Sequence, residues 1–305
     1  MQEVTVKSPA TVSNVVCGFD CLGFALAEPA DEMTIRATDE KSVRIIHHDD
    51  FGLPVDAEKN IAGIALLAMI RRGKLEHGFE IEITKHIKPG SGIGSSAASA
   101  CGAVVAANRL LDDRYSKGEL MDFAMEGEMV ASGARHADNI APCMLGGFTL
   151  VRSTEPLDIV SLDFPPLYAT VIHPQIEIKT AEARVILPAN VALKDAVYQW
   201  SNLGAFVAAL AKEDYELISR SLVDRIVEPA RKSLIPKFED LKSAALNAGA
   251  IGGGISGSGP SMFMLSRSET IATDVANTMT EVYSHTGIDF RMYVSAIVAE
   301  GVRVI

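Results

Sequence analysis

The stretch Pro89-Gly90-Ser91-Gly92-Ile93-Gly94-Ser95-Ser96-Ala97-Ala98-Ser99-Ala100 constrains this chain more than any other. It follows the alternating run Phe79-Glu80-Ile81-Glu82-Ile83, which reads as a strand, and it opens a small-residue helix that continues to Leu111. Glycine at every second position lets the backbone enter conformations closed to other residues and approach a ligand closely. Several N–H groups can then converge on one anion, and the helix N-terminus adds unpaired donors and a positive dipole end at the same point. The stretch therefore predicts a phosphate cradle, with Ser95 and Ser96 where helix caps are expected. A Walker loop is excluded because no lysine follows Gly94, and a dinucleotide fingerprint because the spacing is G-x-G-x-G. The alternative is a tight strand-to-helix turn whose glycines only permit close packing.

A chain of 305 residues exceeds the usual span of one hydrophobic core, so two domains are expected. With 48% hydrophobic and 22% charged residues it has the balance of a globular enzyme. A net charge of −11 argues against nucleic-acid and anionic-membrane partners, which require clustered lysine and arginine. Cys17, Cys21, Cys101 and Cys143 show neither CxxC pairs nor a zinc-like His spacing, and read as small buried thiols. No signal-peptide pattern opens the chain, and the apolar run Ile61 to Ile70 is far short of the ~20 residues of a membrane span. A cytoplasmic protein with reduced thiols is expected.

Along the chain, Gln2 to Lys7 reads as a strand that ends at Ser8-Pro9 and leads into a polar turn, Pro9 to Asp20. Strands are expected at Leu22 to Leu26, Met33 to Ala37 and Val43 to His47, and a helix from Asn60 to Gly73. A further helix spans Lys117 to Ser132, and a strand lies around Phe148 to Val151. The prolines between Arg152 and Pro166 set a domain boundary near 155. Beyond it come a strand at Tyr168 to Ile172 and helices at Leu193 to Leu210, Tyr215 to Val223, Pro236 to Gly249 and Thr270 to Tyr283. A strand at Arg291 to Ile297 closes the set, giving an α+β half with an antiparallel sheet. The second glycine-dense segment, Gly249 to Pro260, lacks the closing glycine of a nucleophile elbow. It is either a plain turn or a backbone lining beside substrate or phosphate.

Glu128 and the run Gly133-Ala134-Arg135-His136-Ala137-Asp138-Asn139 gather a carboxylate, an imidazole, a second carboxylate and an amide near one helix end. Phosphoryl transfer wants these types together. Its loose, highly charged transition state depends on Mg2+, on surrounding donors and on an aligned acceptor hydroxyl. Glu128 and Ser96 are suitable hard oxygen ligands for Mg2+.

Three motifs together resemble the GHMP kinase superfamily over essentially the whole chain. They are Pro9-Ala10-Thr11 with Asn14 and Gly18-Phe19-Asp20, the Gly90 to Ala98 segment, and Gly254-Ile255-Ser256-Gly257-Ser258-Gly259-Pro260-Ser261. His136-Ala137-Asp138-Asn139, Thr180 with Arg184, and Ile226 to Arg231 narrow the resemblance to its homoserine kinase branch. The resemblance implies an α+β, two-domain fold. Residues 1–155 would form the ATP-binding domain, a mixed β-sheet with helices (ribosomal protein S5 domain 2-like). Residues 156–305 would form an antiparallel, ferredoxin-like sheet with helices that completes the substrate site.

It further implies ATP-dependent phosphorylation of the L-homoserine hydroxyl to O-phospho-L-homoserine on the route to threonine, by a homodimer. Carried over, Pro89, Gly90, Ser91, Gly92, Ile93, Gly94, Ser95, Ser96, Ala97 and Ala98 would hold the triphosphate, Ser96 and Glu128 would bind Mg2+, and Asn60 would lie near the adenine. Asn14, Asp20, His136, Asp138, Asn139, Thr180, Arg184 and Arg231 would surround homoserine. The chemistry of an amino acid fits this set: Arg184 and Arg231 suit its carboxylate, Asp20 and Asp138 its ammonium. Relatives such as mevalonate kinase resemble this chain but carry an aspartate base where Asn139 stands, so catalysis here is expected to rest on positioning and charge stabilisation. The chain departs from the family pattern in that Lys88-Pro89 precedes Gly90 directly, which leaves open whether Lys85 or Lys88 reaches a phosphate. Competing readings are a kinase for another small alcohol, such as mevalonate or shikimate, and a catalytically silent nucleotide-binding sensor.

Overall fold

The computed structural model describes residues 3–133, 135–178 and 180–305, with the side chains of residues 130–132 and 180–182 outside that description. Strands β1 (Glu3–Val15) and β2 (Gly18–Thr38) form a long antiparallel hairpin. The polar turn expected over Pro9 to Asp20 is therefore mostly strand, with Thr11 opposite Ala25 and Ser13 opposite Gly23, and the reversal is compressed into Val16-Cys17. Pro9 is tolerated because the register breaks between Pro9 and Thr11, and a proline without an N–H is accommodated at such an irregularity.

Next come β3 (Val43–His47), α1 (Ile61–Gly73), β4 (Gly78–Thr84), α2 (Ser95–Leu110), α3 (Lys117–Ser132), the short α4 (Ile140–Leu145), β5 (Phe148–Thr154) and β6 (Leu157–Leu162). With β11 (Arg303–Val304) from the far end of the chain, the larger sheet runs β11-β1-β2-β4-β3, and β5 pairs with β2 and β6. The β3–β4 pair is parallel and the others antiparallel, so the sheet is mixed, as expected. Alternation in β4 sends Phe79, Ile81 and Ile83 into the core under α1 to α3, while Glu80 and Glu82 turn outward to Arg36. α3 starts sharply because Ser116 and Glu119 form a reciprocal capping box.

The second half holds β7 (Tyr168–Pro174), α5 (Thr180–Val185), α6 (Leu193–Ala211), α7 (Tyr215–Ser221), α8 (Glu228–Arg231) and α9 (Phe238–Asn247). It ends in β8 (Gly252–Ile255), β9 (Met262–Ser266), α10 (Glu269–Ser284) and β10 (Phe290–Ala296). Its sheet is fully antiparallel in the order β10-β7-β9-β8. Ile172, Met262 and Met264 face Phe238, Leu241, Val275 and Met279 of α9 and α10. Val171, Phe263 and Leu265 face the other way, into a core shared with the larger sheet. There Phe24 lies 5.0 Å from Phe148 and 5.5 Å from Phe263, ring to ring, and Phe206 of α6 packs on Phe148.

The boundary expected near 155 falls in the turn between β5 and β6, both strands of the larger sheet. Prolines 156, 165 and 166 flank a strand whose half-exposed pattern hid it, and the change of sheet comes at 163–167. Part of the second glycine segment is strand rather than loop: Gly252 to Ile255 pair with Met262 to Leu265, and a Cβ at Gly253 would overlap the Phe263 carbonyl. Among the described residues no helix is long and apolar enough to cross a membrane.

Candidate active site

The two glycine segments meet. Ser256 Oγ donates to the Gly92 carbonyl at 2.7 Å, and Ser261 Oγ donates to the Ser91 carbonyl at 2.6 Å. Gly257 N–H donates to the Ser13 carbonyl at 3.1 Å, which ties the second segment to β1. The result is a cleft of about 270 Å³ between the two sheets.

Its floor is the segment from Pro89 to Ser96 and the first turn of α2. Gly90, Gly92 and Gly94 all take positive φ (73°, 81° and 70°), which is the freedom the sequence assigned to them. Gly94 also has no room for a side chain, since a Cβ there would overlap Thr11 Oγ1. Expectation and structure part at the caps. Gly94 is the N-cap and neither serine caps the helix with its side chain. Ser95 Oγ instead reaches back to the Ile87 carbonyl at 2.9 Å, and Ser96 Oγ donates to Glu128 Oε2 at 2.8 Å. The N–H groups of the first turn therefore meet no side-chain cap, the condition in which a helix start receives an anion. Ile93, Ala97 and Ala98 are fully buried behind this surface, so they shape the cradle from the core side.

Beneath the floor lies a buried ion pair. Lys85 Nζ binds Asp31, donates to Ser99 Oγ at 2.9 Å and to the Ser95 carbonyl at 3.2 Å. Asp31 Oδ1 accepts the N–H groups of His86 and Ile87 at 2.8 and 2.9 Å. Lys85 lines the cleft, whereas Lys88 turns to Gln175 Oε1 at 2.8 Å.

The same cleft is lined by Asn14, Asp20, His136, Asp138, Asn139, Arg184 and Arg231, so the predicted substrate residues with described side chains share it with the glycine segment. The Thr180 side chain lies outside the described residues. Asn14 and Asp20 both adopt φ of 57°, and the Asp20 N–H donates to Asn14 Oδ1 at 2.7 Å, fixing the β1–β2 turn. Asn139 is held from both ends: its Oδ1 accepts from Thr11 at 2.7 Å and its Nδ2 donates to Ser13 at 2.9 Å. Arg231, 3% exposed, donates to the carbonyls of Ala183 and Gly257 at 2.8 and 3.2 Å. Burial, reinforced by the charge of Asp20, pushes the Asp138 carboxyl up to about 6.

Asn60 does not line the cleft. Its Oδ1 caps α1 through the N–H groups of Ala62 and Gly63, and its Nδ2 donates to the Pro54 carbonyl at 2.7 Å. It thereby fixes Leu53 and Ile61 at the rim, where they give an apolar wall. Ser13, Leu53, Ile61, Ser99 and Ile178 also line the cleft and were not among the expected site residues. Ser13 and Ser99 had a signal in the sequence, each lying inside a segment already singled out.

Two family models match the chain. The GHMP kinases N terminal domain matches residues 60–147, and the GHMP kinases C terminal domain matches residues 206–285. A homoserine kinase of Chloroherpeton thalassium is 46% identical over 319 residues, covering all of both chains. This chain belongs to the homoserine kinase family of the GHMP kinases. A homoserine kinase of Methanocella arvoryzae is 40% identical over all of this chain and 98% of its own. The solved homoserine kinase of Cytophaga hutchinsonii superposes with a TM-score of 0.96 at 51% identity, covering 100% of this chain and 98% of that one. The L. major mevalonate kinase solved with R-mevalonate shares the GHMP fold at a TM-score of 0.75, with 15% identity over 98% and 97% of the two chains.

Proposed function

We propose that this chain transfers the γ-phosphoryl group of ATP to the side-chain hydroxyl of L-homoserine, giving O-phospho-L-homoserine and ADP in threonine biosynthesis. One observation carries the reading: a single cleft is lined both by the glycine segment of an anion cradle and by side chains of both charges that an α-amino acid needs. The triphosphate would lie along Gly90 to Ser96, its oxygens meeting backbone N–H groups and the N-terminus of α2. The purine would rest on Leu53 and Ile61.

Ser96 and Glu128 are two hard oxygen donors already 2.8 Å apart at the helix start, which fits Mg2+, an ion that takes few protein ligands and keeps phosphate and water for the rest. When bound, the ion neutralises charge on the phosphates. The residues of this chain supply alignment. Arg184 and Arg231 would receive the substrate carboxylate, and Asp20 and Asp138 its ammonium. Asn139, fixed by Thr11 and Ser13, would orient the hydroxyl without taking its proton, because an amide is not a base at neutral pH. The proton then leaves with the transferred phosphate or to solvent. The proposal includes a cytoplasmic homodimer, which light scattering on the purified protein and fractionation of cells test.

An acceptor panel with ATP and Mg2+ tests the whole. Homoserine is expected to be phosphorylated at its hydroxyl, with mevalonate and shikimate left unreacted. No product from homoserine refutes the proposal, and turnover that survives Glu128→Ala unchanged refutes the metal assignment.

A further inference from the structure

Arg184 does not stand alone in the cleft. Its Nη2 donates to both carboxylate oxygens of Asp20, at 2.9 and 3.0 Å, and the two side chains are 44% and 35% exposed. The ring of Phe19 lies under both guanidinium groups, 5.9 Å from Arg184 and 5.2 Å from Arg231. Arg231 also donates to the Ala183 carbonyl, so it grips the helix turn that carries Arg184. Two cations and two carboxylates, counting Asp138, thus face one small space with their charges balanced.

We propose that the Asp20–Arg184 ion pair is a built-in competitor that only a zwitterion displaces without loss, and that Phe19 is the positioning residue that keeps both guanidinium groups in place during the exchange. The inference rests on the amino-acid kinase reading above. An α-amino acid splits the pair cleanly: its carboxylate takes Arg184, its ammonium takes Asp20, and every charge regains a partner. A hydroxy acid lacking the amino group takes Arg184 but leaves Asp20 unpaired beside Asp138, and an amino alcohol lacking the carboxylate strands Arg184. Each half-substrate therefore meets a penalty that the zwitterion does not. Selection comes from the charge that is left over, and not only from the contacts that form. Cation–π attraction explains why a ring serves as the platform: it stabilises adjacent guanidinium groups without pairing with either, so both stay available for a carboxylate.

Asp20→Asn separates this from a role as a mere ammonium contact. Asparagine tolerates the positive φ of 57° at position 20, so the turn is preserved, and unchanged ATP affinity checks that it is. Homoserine should bind Asp20→Asn more weakly, while 4-hydroxybutanoate, homoserine without its amino group, should bind about fivefold more tightly than to wild type, because Arg184 no longer has to be released. Both are measured by titration calorimetry with ATP analogue present. Equal 4-hydroxybutanoate affinity in the two proteins overturns the competitor role. Phe19→Leu is expected to raise KM for homoserine about tenfold with KM for ATP unchanged. An unaltered homoserine KM, or equal rises in both, overturns the platform role. A wild-type protein that ignores homoserine altogether would instead refute the function proposed above, so the two failures are told apart.

Discussion

Replacing Lys85 with methionine tests whether the cleft floor is held by the buried ion pair or whether this lysine is itself a phosphate ligand. The Lys85 and Asp31 side chains are 1% and 0% exposed, and every donor and acceptor named on them is engaged within the protein. Methionine keeps the length of the side chain but leaves Asp31 with two backbone N–H groups and no countercharge. Removing one partner of such a pair costs about 3–5 kcal/mol, because a charge stays buried without compensation. With an unfolding entropy of about 2.1 cal/mol/K per residue, that corresponds to a fall in Tm of roughly 5–8 °C for a chain of this length melting as one unit.

The double variant Asp31→Asn with Lys85→Met removes both charges, and replacing a buried pair with neutral groups is far milder than breaking it. If Lys85 acts by position, the double variant regains most of the lost stability and most of the ATP affinity, since the Ser95 carbonyl and the start of α2 are again uncharged neighbours of a neutral site. Urea unfolding and ATP titration read the two quantities separately. The reasoning is refuted if Lys85→Met keeps wild-type stability while losing ATP affinity, or if the double variant stays as weak for ATP as the single one; either result makes Lys85 a direct phosphate contact.

Four further outcomes are expected. Gly94→Ala would drive a Cβ into Thr11 Oγ1 and bring it within 3.1 Å of Asn139 Oδ1, so kcat should fall by about 10²-fold, whereas Gly90→Ala, with open space around it, should cost only about 1 kcal/mol of backbone strain; comparable kinetics for the two would refute the steric argument. The raised Asp138 carboxyl predicts that kcat/KM for homoserine rises as pH passes about 6, when Asp138 ionises and can receive an ammonium, and that Asp20→Asn moves the inflection lower; a flat profile between pH 5 and 7 contradicts it. Because the folded state holds that proton longer than the unfolded chain, Asp138 also removes stability as pH climbs from about 4 to about 6, which denaturant unfolding measured across that range checks. Asn139→Asp should not raise turnover, since the position is locked between Thr11 and Ser13; a severalfold gain with a new acidic limb would show that a base is wanted there after all.

What the amino-acid sequence determined by itself was local. The glycines at 90, 92 and 94 can only mean an unusual backbone, β4 alternates too cleanly to be anything but a half-buried strand, and α1, α2 and α3 declare themselves by apolar spacing and end signals. The expected substrate residues were named from the family resemblance, and the fold brings those with described side chains to one cleft. Three things were not legible. Pro9 to Val15 looked like a turn because its pairing partner, β2, supplies the hydrogen bonds that make a polar, proline-bearing segment a strand. The β6 strand was hidden by prolines and a half-exposed pattern. Asn60, Ser95 and Lys85 were ambiguous as side chains, and only the fold decided that the first caps α1, the second bonds back to Ile87 and the third neutralises Asp31. Periodicity and backbone freedom are properties of neighbours in the chain, whereas the partner that completes a hydrogen bond or balances a charge comes from 54 residues away for Lys85 and 164 for Arg184; the first contact exists only once β2 and β4 have paired, and the second only once the two halves of the chain have packed together.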